Sequence, residues 1–426
     1  MESSRASSPG REDGPKRARF AEGEDLVQTA PTPPPEDPDS KRSYTAHLSK
    51  SVEEAFGEMA KNGYVYKRWH ATLAGAVAGA IAILFERKSR RLSISQQMFV
   101  RGLQGSFNFW SKRFGIQIPF GSVWVFAFCC GQIMYGFLLR PDTIPRSYET
   151  WIQKASVVPD AAVQINRQLV YDGTLNISLQ KKLAHGFTKP WYGNGSVVTE
   201  ENKMDMLQQA AKAITGEPMP PMASCAAIHP HRNHCIPTGI WRVYETGKWM
   251  APMYGALHFV PLLLFKRKRL MKEPFTTLVK ALLGTIRSSA FLGVYVAIYQ
   301  SYICFLHLLY RLPLDPSIAP AFRRFILSKP LWWFGGILSG MSLFVEDARR
   351  RPELAMYVLP KGLESGWKLL RGELFGIPTQ RRKRGWKSDV ALSAAGMAMV
   401  MSTYQDSPDH LSSLVRRLLY QFVGTN

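Results

Sequence analysis

The sequence predicts an all-α, polytopic membrane protein, with about six short Gly-rich transmembrane helices in two related units behind a disordered N-terminal tail. Three observations predict it. Apolar residues are gathered into six segments, at about 70–85, 119–139, 249–265, 288–310, 331–345 and 389–404. Basic residues crowd the ends of those segments. A composite of spaced glycines, an acid and an arginine cluster occurs once near each end of the chain. The mean hydropathy of -0.12 hides this segregation, because the first 68 residues and the stretch from Arg140 to Lys248 are polar.

Residues 1–45 read as the tail, being rich in Ser, Pro and charge with few branched apolar residues. The tail lacks the apolar h-region of a secretory signal, and Glu2, Glu12, Asp13, Glu22, Glu24 and Asp25 break the acid-poor pattern of a mitochondrial presequence. The run "KRAR" at 16–19 reads as a solvated charge run rather than an address. Residues 46–156 then form a first membrane unit of two helices with a basic loop between them. A polar connecting segment spans 157–224, a Cys/His-rich segment 225–248, and a second membrane unit of four helices 249–426. The second and fourth apolar segments are uncharged and long enough for a span of ~20 residues. The first and fifth are shorter, which suits a buried helix, a re-entrant piece or a span that thins the bilayer. Trp69, Trp249, Trp332 and Trp333 stand at segment borders, where indole prefers the headgroup region.

A formal net charge of +22 calls for an anionic partner, either nucleic acid or a membrane surface. Position decides between them. The runs "ERKSRR", "FKRKRLMK", "EDARRR" and "QRRKRGWK" follow the first, third and fifth segments, and short positive loops of this kind mark the untranslocated side. Nucleic acid is not expected, because the charge lies at helix borders rather than on one face interleaved with aromatics. Glu86 and Arg90, like Asp347 and Arg351, are four apart and can pair on one helix face. Arg87, Lys88, Arg90 and Arg91, with Arg349, Arg350 and Arg351, are candidate contacts for lipid headgroups, since guanidinium grips phosphate bidentately. The plainer alternative is a topology signal without lipid specificity.

Placing residue 73 over 334 aligns Gly75 with Gly336, Gly79 with Gly340 and Glu86 with Asp347; after a slip of one, Gly102 falls on Gly362. The chain therefore reads as two related units, the first shortened at its front. Gly75, Gly79, Gly336 and Gly340 are candidate helix-packing positions, because small residues at i and i+4 let backbones approach closely.

Between the units, "SCAAIHPHRNHC" brings Cys225, His229, His231, His234 and Cys235 close in sequence. Thiolate and imidazole are zinc-type ligands, but the spacing matches no standard finger. A metal clip, a Cys225–Cys235 disulfide and a hydrogen-bonded knot all remain open at this stage. No cofactor is required, and zinc is the one these residue types would take. No catalytic residues are expected, since HExxH, GxSxG and P-loop patterns are absent. Asn176 and Asn194 fit glycosylation sequons.

The ordered set "LFERKSRR", "CIPTGIWRVYETGKWMAPMYG", "RSSAFLGVYVAIYQSYICFL" and "GGILSGMSLF" resembles the transmembrane protein 135 family over about residues 69–420. That family is distantly related to the pore subunits of the mitochondrial inner-membrane translocases and to small peroxisomal membrane proteins. The resemblance implies two halves of short Gly-rich helices, each preceded by a Cys/His-rich segment; here that segment has a single copy. It further implies a multi-pass protein of an intracellular organelle membrane, peroxisomal first and mitochondrial next, involved in organelle dynamics and division, lipid homeostasis and energy metabolism. Expected partners are the bilayer with its anionic lipids, and a second copy of the chain or other organelle membrane proteins. The function expected is non-enzymatic, a scaffold or a conduit for lipid or metabolite. The alternative is a membrane metalloenzyme centred on His229, His231 and His234.

Overall fold

Why the same composite should appear twice is answered by how its helices pack. The computed structural model describes residues 68–186, 197–217, 220–265, 267–375 and 386–424. The expected tail, the Asn194 sequon and most of the 380–387 basic run lie outside them. Among the described residues every regular element is helical. The α-helices are α1 (Arg68–Phe85), α2 (Lys88–Arg113), α3 (Gly121–Leu138), α4 (Arg146–Ser156), α5 (Asp160–Asp172), α6 (Ile177–His185), α7 (Glu200–Ile214) and α8 (Cys225–Ile228). They continue as α9 (Cys235–Phe265), α10 (Arg267–Lys272), α11 (Pro274–Tyr310), α12 (Ala319–Ile326), α13 (Lys329–Gly340), α14 (Arg351–Phe375), α15 (Trp386–Asp406) and α16 (Ser413–Phe422).

Three of these, α1, α3 and α11, are long and apolar enough to cross a membrane. The other apolar segments take different forms. The third is the far half of α9, which continues through Pro252 and Pro261. The fifth is α13, twelve residues long and so about 18 Å, followed by a 3-10 stretch at Met341–Val345. The sixth lies within α15.

Packing interleaves the two ends of the chain. Helices α1 and α2 pack on α15, while α13 and α14 pack on α3. The glycines make both contacts. A side chain on Gly75 would reach within 2.6 Å of the Met397 carbonyl, and one on Gly79 within 2.7 Å of the Ser393 carbonyl. On the other side, a side chain on Gly336 would fall 2.7 Å from the Gly131 Cα, and one on Gly340 would strike Ala127. Gly102 abuts Gly396, and Gly362 abuts Cys129, continuing each seam along α2 and α14. Absent side chains are what allow these backbones to touch.

The arginine borders also repeat, in a register different from the sequence alignment. Arg91 donates from Nε to the Glu86 carbonyl (2.8 Å) and from Nη2 to the Leu84 carbonyl (2.6 Å). Arg351 does the same to Glu346 (3.0 Å) and Phe344 (2.9 Å). Glu346, not Asp347, is thus the structural counterpart of Glu86. The slip falls inside the 3-10 stretch, whose rise of ~2.0 Å per residue covers the distance with one residue fewer than an α-helix needs. Accordingly, Glu86 pairs with Arg90 at 2.7 Å as expected, but the Asp347–Arg351 pair is replaced by Glu346–Arg350 at 3.7 Å. Asp347 instead meets Arg287 of α11 at 3.1 Å. Both Arg91 and Arg351 satisfy carbonyls that the end of an apolar helix leaves unpaired. Arg87, Lys88, Arg90 and Arg349 lie exposed at the same borders, and Arg350 is half-buried.

The main core surrounds α3. Phe126, Ile133 and Phe137 meet Phe291 and Tyr299 of α11 and Trp332 of α13. The polar connecting segment carries α5 to α7, and together with α8 at the start of the Cys/His-rich segment these helices pack over a small core of their own, including Ile165, Leu169, Leu183 and Met206. Asn176 is the N-cap of α6: its side-chain oxygen accepts from the Leu179 backbone N–H at 3.0 Å. The long α9 and α11 run antiparallel as a hairpin, with Arg242 opposite Gln300 and His258 opposite Gly284.

Candidate functional site

Two features stand out, and they adjoin. The first is a cavity of about 540 Å³ walled by α3, α4, α5, α9, α11, α13 and α14. Its lining is almost wholly apolar, with Phe126, Met134, Val163, Phe291, Val296 and Trp332 representative. Few polar groups reach it. Gln300 is engaged elsewhere, accepting at Oε1 from Arg242 Nε (2.8 Å) and donating from Nε2 to the Ser156 carbonyl (2.8 Å). Arg242 is fully buried and pairs with Glu245 at 3.2 Å, so charge is kept behind the wall rather than in the cavity. A space of this size and character matches a site for an apolar ligand.

The second feature is a group of four side chains, Cys225, His229, Cys235 and Cys304, whose ligand atoms all lie within 4.8 Å of one another. This group could hold a metal ion. Cys225 and His229 lie one helical turn apart at the start and end of α8, Cys235 opens α9, and Cys304 comes from α11. The Cys225 and Cys304 sulfurs are 3.9 Å apart, and the Cys235 sulfur is 3.4 Å from His229 Nε2. All five cysteines are free thiols.

The loop carrying these groups is fixed from several sides. Ser224 caps α8 by accepting from the Ala227 N–H at 3.3 Å. Ala223 is held at both ends, its N–H by Asn166 Oδ1 (3.1 Å) and its carbonyl by His307 Nε2 (2.6 Å). Asn202 of α7 donates to the carbonyls of His229, Pro230 and Arg232. His229 is 2% exposed, and its Nδ1 donates to the Arg232 carbonyl at 2.8 Å, which leaves Nε2 as the lone-pair nitrogen facing the sulfurs. Hydrogen bonding from Cys304, and after burial's opposing effect from His229, holds the Cys225 thiol well below the ordinary thiol range.

Of the five residues expected from the sequence, the structure gathers three. His231 is half-buried outside the group, and His234 is exposed, its carbonyl accepting from the Thr238 hydroxyl. Cys304, 79 residues from Cys225, was missed because it sits in an apolar stretch read as a membrane helix. A signal was present: Gln300, Cys304 and His307 fall on one face of the apolar far half of α11. No family model, no curated protein and no solved structure matches the chain.

Proposed function

We propose that the chain is a non-enzymatic, multi-pass protein of an intracellular organelle membrane, the peroxisome before the mitochondrion, that takes an acyl chain or similar apolar molecule into its central cavity. The cavity is the observation that carries this reading: a charge-free chamber beside membrane-length helices suits the tail of a lipid rather than a polar metabolite. The outward face of α1, with Leu73, Val77, Ile81 and Phe85 at four-residue spacing, is exposed and apolar, as a lipid-facing helix requires. Six spans would include α9, α13 and α15, with the short α13 thinning the bilayer. The exposed Arg87, Lys88 and Arg90 then contact anionic headgroups beside the first border. Such a protein handles lipid as a scaffold or conduit, and so affects organelle membrane dynamics and division, in keeping with its resemblance to the transmembrane protein 135 family. The metalloenzyme alternative is weaker, since four protein donors leave no open coordination position for water or substrate.

Mass spectrometry of lipids extracted from the purified chain tests the reading. The wild type carries a defined lipid at near one per chain, and Val163→Trp, which fills the cavity, depletes it several-fold without loss of folded protein. Equal lipid content in the two proteins overturns the proposal.

A further inference from the structure

We propose that Cys225, His229, Cys235 and Cys304 together bind one Zn²⁺ ion in a closed tetrahedral site that fastens the α8–α9 elbow to α11. Two of the ligand-to-ligand distances are those of a tetrahedron's edges, and the others lie within about 1 Å of that length. With Zn–S near 2.3 Å and Zn–N near 2.0–2.1 Å, paired sulfurs stand ~3.8 Å apart and a sulfur and nitrogen ~3.5 Å. The chain holds Cys225 and Cys304 at 3.9 Å and Cys235 and His229 at 3.4 Å, with all four ligand atoms inside 4.8 Å. Three sulfurs and one imidazole is a donor set typical of structural zinc.

The surroundings are built as a metal site requires. A ligating histidine ordinarily gives its other ring N–H to a carbonyl, which fixes the tautomer; His229 Nδ1 does so to Arg232, whose carbonyl is itself held by Asn202. The cluster gathers three sulfurs around a buried imidazole, all within reach of one central ion. Binding displaces the thiol protons to solvent, and Zn²⁺ undergoes no change of oxidation state.

The position defines the role. Three ligands come from the α8–α9 elbow and the fourth from a helix that packs against it, so the ion cross-links segments 79 residues apart. Ile228 beside His229 and Ile303 beside Cys304 both line the cavity, which places the cross-link behind one of its walls. Measured along α11 at 1.5 Å per residue, Cys304 stands about 24 Å from Ser288 at the arginine border.

Elemental analysis of the full-length chain, purified in detergent without a metal-binding tag, tests the proposal. One zinc per chain is expected in the wild type, His231→Ala and His234→Ala, and a loss of at least five-fold in Cys304→Ser. Cobalt exchanged into the wild type provides a second readout that needs no variant: a thiolate-to-cobalt charge-transfer band with intense tetrahedral visible bands. Wild type free of zinc with no such bands overturns the site. So does zinc that survives Cys304→Ser in folded protein while disappearing in His231→Ala, or a Cys225–Cys304 or Cys225–Cys235 disulfide in unreduced peptides.

Discussion

The two copies of the glycine–acid–arginine composite are built alike and placed differently. Both use paired glycines to seat a helix on a distant one, α1 on α15 and α13 on α3, and both use the last arginine of the cluster to cap the apolar helix before it. Yet three of the 18 residues of α1 are buried, against six of the 12 of α13. Around the second copy the hairpin of α9 and α11 closes the structure. Glu346 is 2% exposed, its Oε2 accepting from the Ser288 hydroxyl at 2.6 Å, while Arg350 donates to Ser288 and to His258 Nε2, both at 2.8 Å. Around the first copy, the arginine paired with Glu86 lies mostly in the open. One motif therefore serves as a surface border in one half and as a central joint in the other.

The largest contrast is expected at the glycines. Gly336 meets the backbone of Gly131 and Cys130 within the core, whereas Gly75, although it also faces the Met397 carbonyl, has the flexible Met401 side chain as its other neighbour and sits on α1, most of whose residues are not buried and which can shift outward. Gly336→Leu is expected to cost about 3 kcal/mol or more and to abolish a monodisperse peak in size-exclusion chromatography. Gly75→Leu is expected to retain that peak with a lowered melting temperature. Identical behaviour of the two would remove the distinction between centre and edge.

A middle-sized effect is expected at the acids. Glu346→Ala takes the carboxylate partner from half-buried Arg350 and the acceptor from the buried Ser288 hydroxyl, and should cost about 2 kcal/mol by thermal unfolding in detergent. Glu86→Ala should leave the melting temperature unchanged, and a comparable drop in both would show that the first border is also a joint. The smallest change sharpens the comparison within one seam. Ser393 donates to the Gly79 carbonyl at 2.9 Å, a contact between α15 and α1 that the second seam lacks at its equivalent, Ala127. Ser393→Ala is expected to cost about 0.6 kcal/mol, and a larger loss would mean that the first seam depends on this bond more than on its glycines.

Helices, glycine seams and arginine borders were legible in the sequence because each is local. A GxxxG spacing, a run of uncharged residues or an acid followed by arginines declares itself within one or two helical turns. The two glycine–acid–arginine composites were legible too, but their register near the second acid was not: a 3-10 stretch in place of α-helix at Met341–Val345 moved the equivalence from Asp347 to Glu346. In the Cys/His segment, local reading found Cys225, His229 and Cys235 and added His231 and His234, which ligand type alone cannot distinguish.

By itself, then, the sequence determined that the chain is helical, where its apolar segments run and where two helices can touch, since these follow from residue size and polarity at short spacing. Only the tertiary structure decided that α1 and α2 pack on α15 while α13 and α14 pack on α3, that a cavity remains in the core, and that Cys304 completes the Cys/His group. Those outcomes depend on which distant surfaces fit together, and the packing of side chains across 79 intervening residues leaves no periodic trace in either segment alone.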